Sequence, residues 1–116
     1  MDGLAGRREL AANGEEAVAG WYLSSGYEVL ARNWRCPQGE LDLVLRHGDL
    51  IVFCEVKTRT SAAFGAPVEA VTRAKQTRIR RLAGRYLEDG SEHAGILRFD
   101  VASVLGGVVE VVEGAF

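Results

Sequence analysis

The segment from Glu40 to Lys57 constrains the fold of this chain more than any other. It begins Glu40-Leu41-Asp42-Leu43-Val44-Leu45-Arg46, with leucine at 41, 43 and 45, the alternation of a half-buried strand. His47-Gly48-Asp49 is turn-forming. Leu50-Ile51-Val52-Phe53-Cys54-Glu55-Val56-Lys57 follows, apolar on both faces until its end, the pattern of a strand central in its sheet. Two strands and a turn make a hairpin. A hairpin this apolar needs further strands beside it and helices over both faces.

The rest of the chain supplies them. An alanine-rich stretch from Arg7 to Ser25, ending in Val18, Trp21, Tyr22 and Leu23, predicts a helix closed by Gly26. Tyr27 to Arg32 predicts a strand. Thr58 to Pro67 is small and polar, a loop. From Val68 to Leu87 the apolar positions Val71, Ile79, Leu82, Ala83 and Tyr86 follow helical spacing, and Gly90 ends that helix. Ile96–Leu105 and Val108–Val112, joined by Gly106-Gly107, form a closing hairpin. The predicted order is α-β-β-β-α-β-β, a mixed central sheet flanked by helices. At 116 residues the chain reads as one domain, 1–116.

Charge is unevenly spread. The net charge of −2 conceals a basic stretch, residues 57–85, where Lys57, Arg59, Arg73, Lys75, Arg78, Arg80, Arg81 and Arg85 face only Glu69. Arginine dominates, and its planar fork suits phosphate. An acidic chain with one basic stretch has a local surface for a polyanion. No apolar run reaches the roughly 20 residues of a membrane helix. The N-terminal residues have no apolar stretch like that of a secretory signal, so a cytoplasmic protein is expected. Cys36 and Cys54 lack metal-ligand spacing and read as free thiols.

Chemistry concentrates on the hairpin. Glu55 and Lys57 share a strand face. The turn brings Asp42 back opposite residues 53 to 55, and an odd pairing sum puts it on the face of Glu55. Cβ separations of roughly 5–8 Å would suit two carboxylates sharing one cation. Such carboxylates at the end of apolar strands need compensation, which a divalent metal provides; hard oxygen donors favour Mg²⁺ or Mn²⁺. Lys57 is placed to act on attacking water or on charge developing at phosphorus. Ordinary hairpin salt bridges, Glu55 with Lys57 or Asp42 with Arg46, are the plainer reading of the same residues. Glu40 faces the side of Asp42 and either assists metal binding or pairs with Arg35.

Gly39-Glu40-Leu41-Asp42-Leu43-Val44, Phe53-Cys54-Glu55-Val56-Lys57-Thr58-Arg59, Phe64-Gly65 and Ala70-Val71-Thr72-Arg73-Ala74-Lys75-Gln76 resemble the YraN-type family of small bacterial proteins. Asn33-Trp34-Arg35 and Arg98-Phe99-Asp100-Val101 fit as well, so the resemblance spans nearly the whole chain. It implies a restriction-endonuclease-like, PD-(D/E)xK fold related to archaeal Holliday-junction resolvases. It also implies a Mg²⁺- or Mn²⁺-dependent endonuclease acting on DNA, on branched or damaged structures. Asp42, Glu55 and Lys57 then match the motif's catalytic residues, and Asp42, Glu55 and Val56 are the expected metal-binding positions. A further glutamate is implied on the first helix; counting back from Trp21-Tyr22-Leu23 places it on Glu16, with Glu15 beside it left open. Arg59, Arg73, Lys75, Gln76, Arg78, Arg80 and Arg81 are the expected nucleic-acid contacts. A symmetric junction cutter needs two active sites, which points to a homodimer. The alternative is a nucleic-acid-binding module with weak or no activity.

Overall fold

The computed structural model describes residues 3–59 and 71–116. Helix α1 (Gly3–Ser24) is followed by strands β1 (Glu28–Cys36), β2 (Gly39–His47) and β3 (Leu50–Arg59), helix α2 (Arg73–Asp89), and strands β4 (Ile96–Leu105) and β5 (Val108–Val112). This is the element order read from the sequence. The five strands form one mixed sheet in the order β1-β2-β3-β4-β5. All neighbours are antiparallel except β3 and β4. A parallel pair needs a long crossover, and α2 lies within it.

The sheet separates two apolar cores. On one face Val18, Ala19 and Tyr22 of α1 pack on Leu43, Leu45, Val52, Cys54, Ala102 and Val104. On the other, Ile79, Leu82, Ala83 and Tyr86 of α2 pack on Leu41, Val44, Ile51, Phe53, Phe99 and Val101. Each fully buried Val, Leu or Ile contributes roughly 1.5–3 kcal/mol, so both helices are held by area rather than by propensity. The apolar run of β3 is explained: Val52 and Cys54 serve one core, Ile51 and Phe53 the other.

Local departures from the predicted elements have identifiable causes. Strand β1 continues to Cys36, four residues past its predicted end. A shift of register between Val29 and Ala31, and Asn33 with φ of +50°, interrupt the alternation that would have revealed its length. Asparagine tolerates that left-handed conformation better than most residues. Helix α2 starts at Arg73, where the side chain of Thr72 accepts a hydrogen bond from Lys75 N at 3.2 Å. The predicted loop beyond residue 59, and residues 68–70 of the predicted helix, lie outside the described residues. The three leucines of β2 do not share a core: Leu43 and Leu45 pack under α1, whereas Leu41 packs under α2. The switch occurs at Asp42.

Asp100 pins the α1 face. It is fully buried, accepts from Tyr22 Oη at 2.5 Å, from Arg98 through two nitrogens at 2.8 and 2.9 Å, and from Gly114 N at 3.0 Å. Every lone-pair direction of the buried carboxylate is thus used, the condition for tolerating a charge there. Cys36 and Cys54 are free thiols. Among the described residues, no helix is long and apolar enough to cross a membrane.

Candidate metal centre

The hairpin register brings the acidic residues together. Pairing of β2 with β3 runs from His47↔Leu50 to Leu43↔Cys54, an odd sum, so Asp42 and Glu55 come next on the two strands. There the ladder stops and a side chain replaces it: Val56 N donates to Asp42 Oδ2 at 2.8 Å. This bond fixes the Asp42 carboxylate between the diverging strands. Val56 thus anchors Asp42 through its N–H, and its backbone carbonyl is the oxygen it has to offer a cation.

Three carboxylates converge. One oxygen each from Glu15, Glu40 and Asp42 lies within 4.8 Å of the other two. Glu15 arrives from α1 because Gly14, just before it, lets the helix meet β3 closely; a Cβ on Gly14 would lie 2.1 Å from Thr58 Oγ1. Glu40 also accepts from Arg35 Nε at 3.1 Å, so both alternatives for this residue are realised at once. Glu16 is turned away. Its side chain is 71% exposed and pairs with Arg32. Of the two α1 glutamates, Glu15 is the one that the fold brings to Asp42, because Glu16 is one helical position, about 100°, further round.

Electrostatics match this crowding. Burial, reinforced by the charge of Glu55, pushes the Asp42 carboxyl up to about 7, against the opposing bond from Val56 N. Glu15 is also raised, by burial first and by Glu40 and Glu55, while a hydrogen bond from Asn33 works the other way. The left-handed turn of β1 at Asn33 thus serves the acidic cluster, a role that sequence reading missed. Its only signal was an asparagine directly after the predicted strand.

Glu55, 14% exposed, carries the cations. Lys57 Nζ and Lys75 Nζ approach the same oxygen, Oε1, at 3.6 and 3.8 Å. Lys75 comes from the first turn of α2, so it belongs to the centre rather than to an outlying basic surface. Its pKa is lowered, chiefly by its hydrogen bond to Lys57 and then by burial. Gln76 folds back onto its own chain, Nε2 donating to Val71 O at 3.2 Å.

The basic residues divide. Arg73, Arg78 and Arg81 are exposed along α2, and Arg59 is half-buried at the end of β3. Arg80 is exposed as well and also meets two rings: its guanidinium lies 4.7 Å from the Phe99 ring centre and 5.6 Å from that of Phe116. Its charge lies beside two aromatic faces while the side chain stays open to solvent.

The donor set fits a hard divalent cation. Three carboxylates at this separation repel one another unless protonated or bridged, and all-oxygen donors suit hard cations rather than softer metals.

Comparison with known proteins places the chain in a family. Residues 14–104 match the profile of the Uncharacterised protein family UPF0102. A UPF0102 protein of Beutenbergia cavernae is 55% identical over 96 residues, covering 83% of this chain and 81% of the relative. One from Parafrankia sp. is 53% identical over 91 residues, covering 78% and 77%. One from Frankia casuarinae is 47% identical over 108 residues, covering 89% and 92%. Both structural anchors of the centre, Gly14 and the Asp42–Lys57 hairpin, fall inside the matched region. The chain therefore belongs to family UPF0102, the YraN family whose motifs its sequence carries.

Proposed function

We propose that this chain is a divalent-metal-dependent endonuclease that hydrolyses phosphodiester bonds in DNA, acting in the cytoplasm as a single nuclease domain of restriction-endonuclease-like fold. The observation that carries the reading is the convergence of Glu15, Glu40 and Asp42 beside a carboxylate, Glu55, that holds Lys57 and Lys75. Carboxylates in this number are costly to bring together, and a stabilising ion pair would need only one of them.

In this reading Glu15, Glu40 and Asp42 hold Mg²⁺ or Mn²⁺, with Glu55 adjoining. A divalent cation held there would supply positive charge to the scissile phosphate and would lower the pKa of the attacking water. The protein's own groups do the rest. The Val56 N–H keeps Asp42 oriented. Glu55 holds two ammonium groups together, and Lys57 presents Nζ to the reacting phosphate, where its charge offsets charge building on the phosphoryl oxygens. Glu15 takes the place assigned to Glu16 by counting along the sequence. The exposed arginines of α2 supply sequence-independent phosphate contacts, and a homodimer would give the two sites that a symmetric junction requires.

The test is cleavage of linear, nicked, flap and four-way-junction DNA with Mg²⁺ or Mn²⁺, run beside Lys57→Ala and Asp42→Ala. Cleavage by the wild type that both variants lose supports the reading. DNA binding without cleavage of any substrate by the wild type would replace it with a non-catalytic binding module.

A further inference from the structure

A groove runs along α2 away from the acidic centre. It is lined by Gln38 on one side and, on α2, by Ala74, Arg78, Arg81, Gly84 and Arg85. Both sides begin at the centre: Ala74 adjoins Lys75, and Gln38 precedes Glu40 by two residues. Arg78, Arg81 and Arg85 stand at i, i+3 and i+7, on one side of the helix. At 1.5 Å per residue they span about 10 Å, the axial length of roughly three nucleotides of one strand.

Gly84 is the informative residue. It lies in the interior of α2, where glycine costs roughly 0.5–1 kcal/mol relative to alanine. Among the described residues nothing requires it, since a Cβ added there would meet none of their atoms within 4 Å. A missing side chain that no internal neighbour needs leaves room for something external to approach the helix backbone.

We infer that this groove binds the sugar–phosphate backbone of one nucleic-acid strand leading away from the acidic centre. The inference deepens the nuclease reading by assigning the strand's path, and it names Arg85, Gly84 and Gln38 as part of it. The arginine rim meets successive phosphates. The small residues between the arginines, Ala74 and Gly84, leave room for the sugars. The lining has no aromatic ring for bases to stack on, so binding is insensitive to sequence. An extended acidic peptide is the competing occupant. It is disfavoured because three arginines within about 10 Å match the closer charge spacing of a phosphate backbone, and Asp89 pairs with Arg85 at 3.0 Å, an exposed contact that closely spaced phosphates displace more readily than isolated carboxylates.

The experiment is fluorescence anisotropy of a labelled DNA oligonucleotide titrated with protein in EDTA, over a series of salt concentrations. Gly84→Glu places a negative charge in the groove while favouring the helix, and circular dichroism verifies the fold. It should weaken binding tenfold or more. Val108→Glu, which adds the same charge at the opposite edge of the sheet, should not. Arg81→Ala should lower the slope of log affinity against log salt by about 1. The inference is overturned if folded Gly84→Glu binds like the wild type. It is equally overturned if polyglutamate displaces the oligonucleotide at matched charge concentration. Because the assay contains no metal, a failure of cleavage leaves this result standing, and loss of groove binding leaves the metal centre untouched.

Discussion

Replacing Asp42 by asparagine separates the electrostatic account of the centre from a purely structural one. Asparagine matches the carboxyl in shape, still accepts from Val56 N through Oδ1, and donates to Glu55 through Nδ2. It removes only the charge. In the wild type the folded state retains a proton on Asp42 up to about pH 7, whereas an exposed aspartate releases it near 3.8. Between those values the folded state binds more protons than the unfolded, so this group's contribution to stability is greatest at low pH and is lost as pH rises toward 7. A rise from 3.8 to about 7 is worth at most about 4 kcal/mol. Water reaching the half-open centre relieves part of that, leaving about 1–3 kcal/mol. Urea denaturation in EDTA should therefore find Asp42→Asn more stable than the wild type by this amount at pH 8, with the gap closing at pH 4. Added Mg²⁺ should reverse the order. At a thousand times its dissociation constant it stabilises the wild type by about 4 kcal/mol and the variant not at all. A variant less stable than wild type at pH 8, or a gap independent of pH, would refute the argument that crowded negative charge strains this centre.

Other perturbations probe the supports. Gly14→Ala drives a methyl into Thr58 Oγ1, so α1 must lift; we expect a loss of about 1–3 kcal/mol by thermal denaturation, together with weaker Mg²⁺ binding by calorimetry because Glu15 moves with the helix. Asp100→Ala leaves Arg98 and Tyr22 facing a void and should cost about 3–5 kcal/mol, whereas Tyr22→Phe, which removes one hydrogen bond, should cost about 1–2 kcal/mol in the same urea assay. Arg80→Ala should lower stability by about 1 kcal/mol through lost contact with Phe99 and Phe116, a change read in the melting temperature.

The order of elements was legible because burial writes itself as periodicity. Ile51 to Cys54 announce a central strand, and Ile79, Leu82, Ala83 and Tyr86 mark one face of α2. The proximity of Asp42 to Glu55 was legible for a related reason, since a short turn leaves few registers. What escaped is set by geometry without period. The choice of Glu15 over Glu16 depends on the rotation of α1 about its axis, fixed by the contact of Gly14 with Thr58 across 44 residues of chain. The separation of Leu41 from Leu43 depends on one side-chain hydrogen bond at Asp42 that no alternation rule anticipates. Arg80 carries the same charge as Arg78 and Arg81, and only the position of Phe99 and Phe116 distinguishes it.

The division of the protein into two cores has a consequence for how the centre comes apart. Glu15 is delivered by the helix on one face of the sheet and Lys75 by the helix on the other, while Asp42, Glu40 and Glu55 stay on the strands between. Detachment of α1 alone would take away one carboxylate and leave both lysines in place; detachment of α2 would do the reverse. Bound metal opposes the first opening and leaves the second largely unaffected. Amide exchange in α1 should therefore slow on adding Mg²⁺ while that in α2 barely changes, so that the ion acts as a clasp for one half of the molecule.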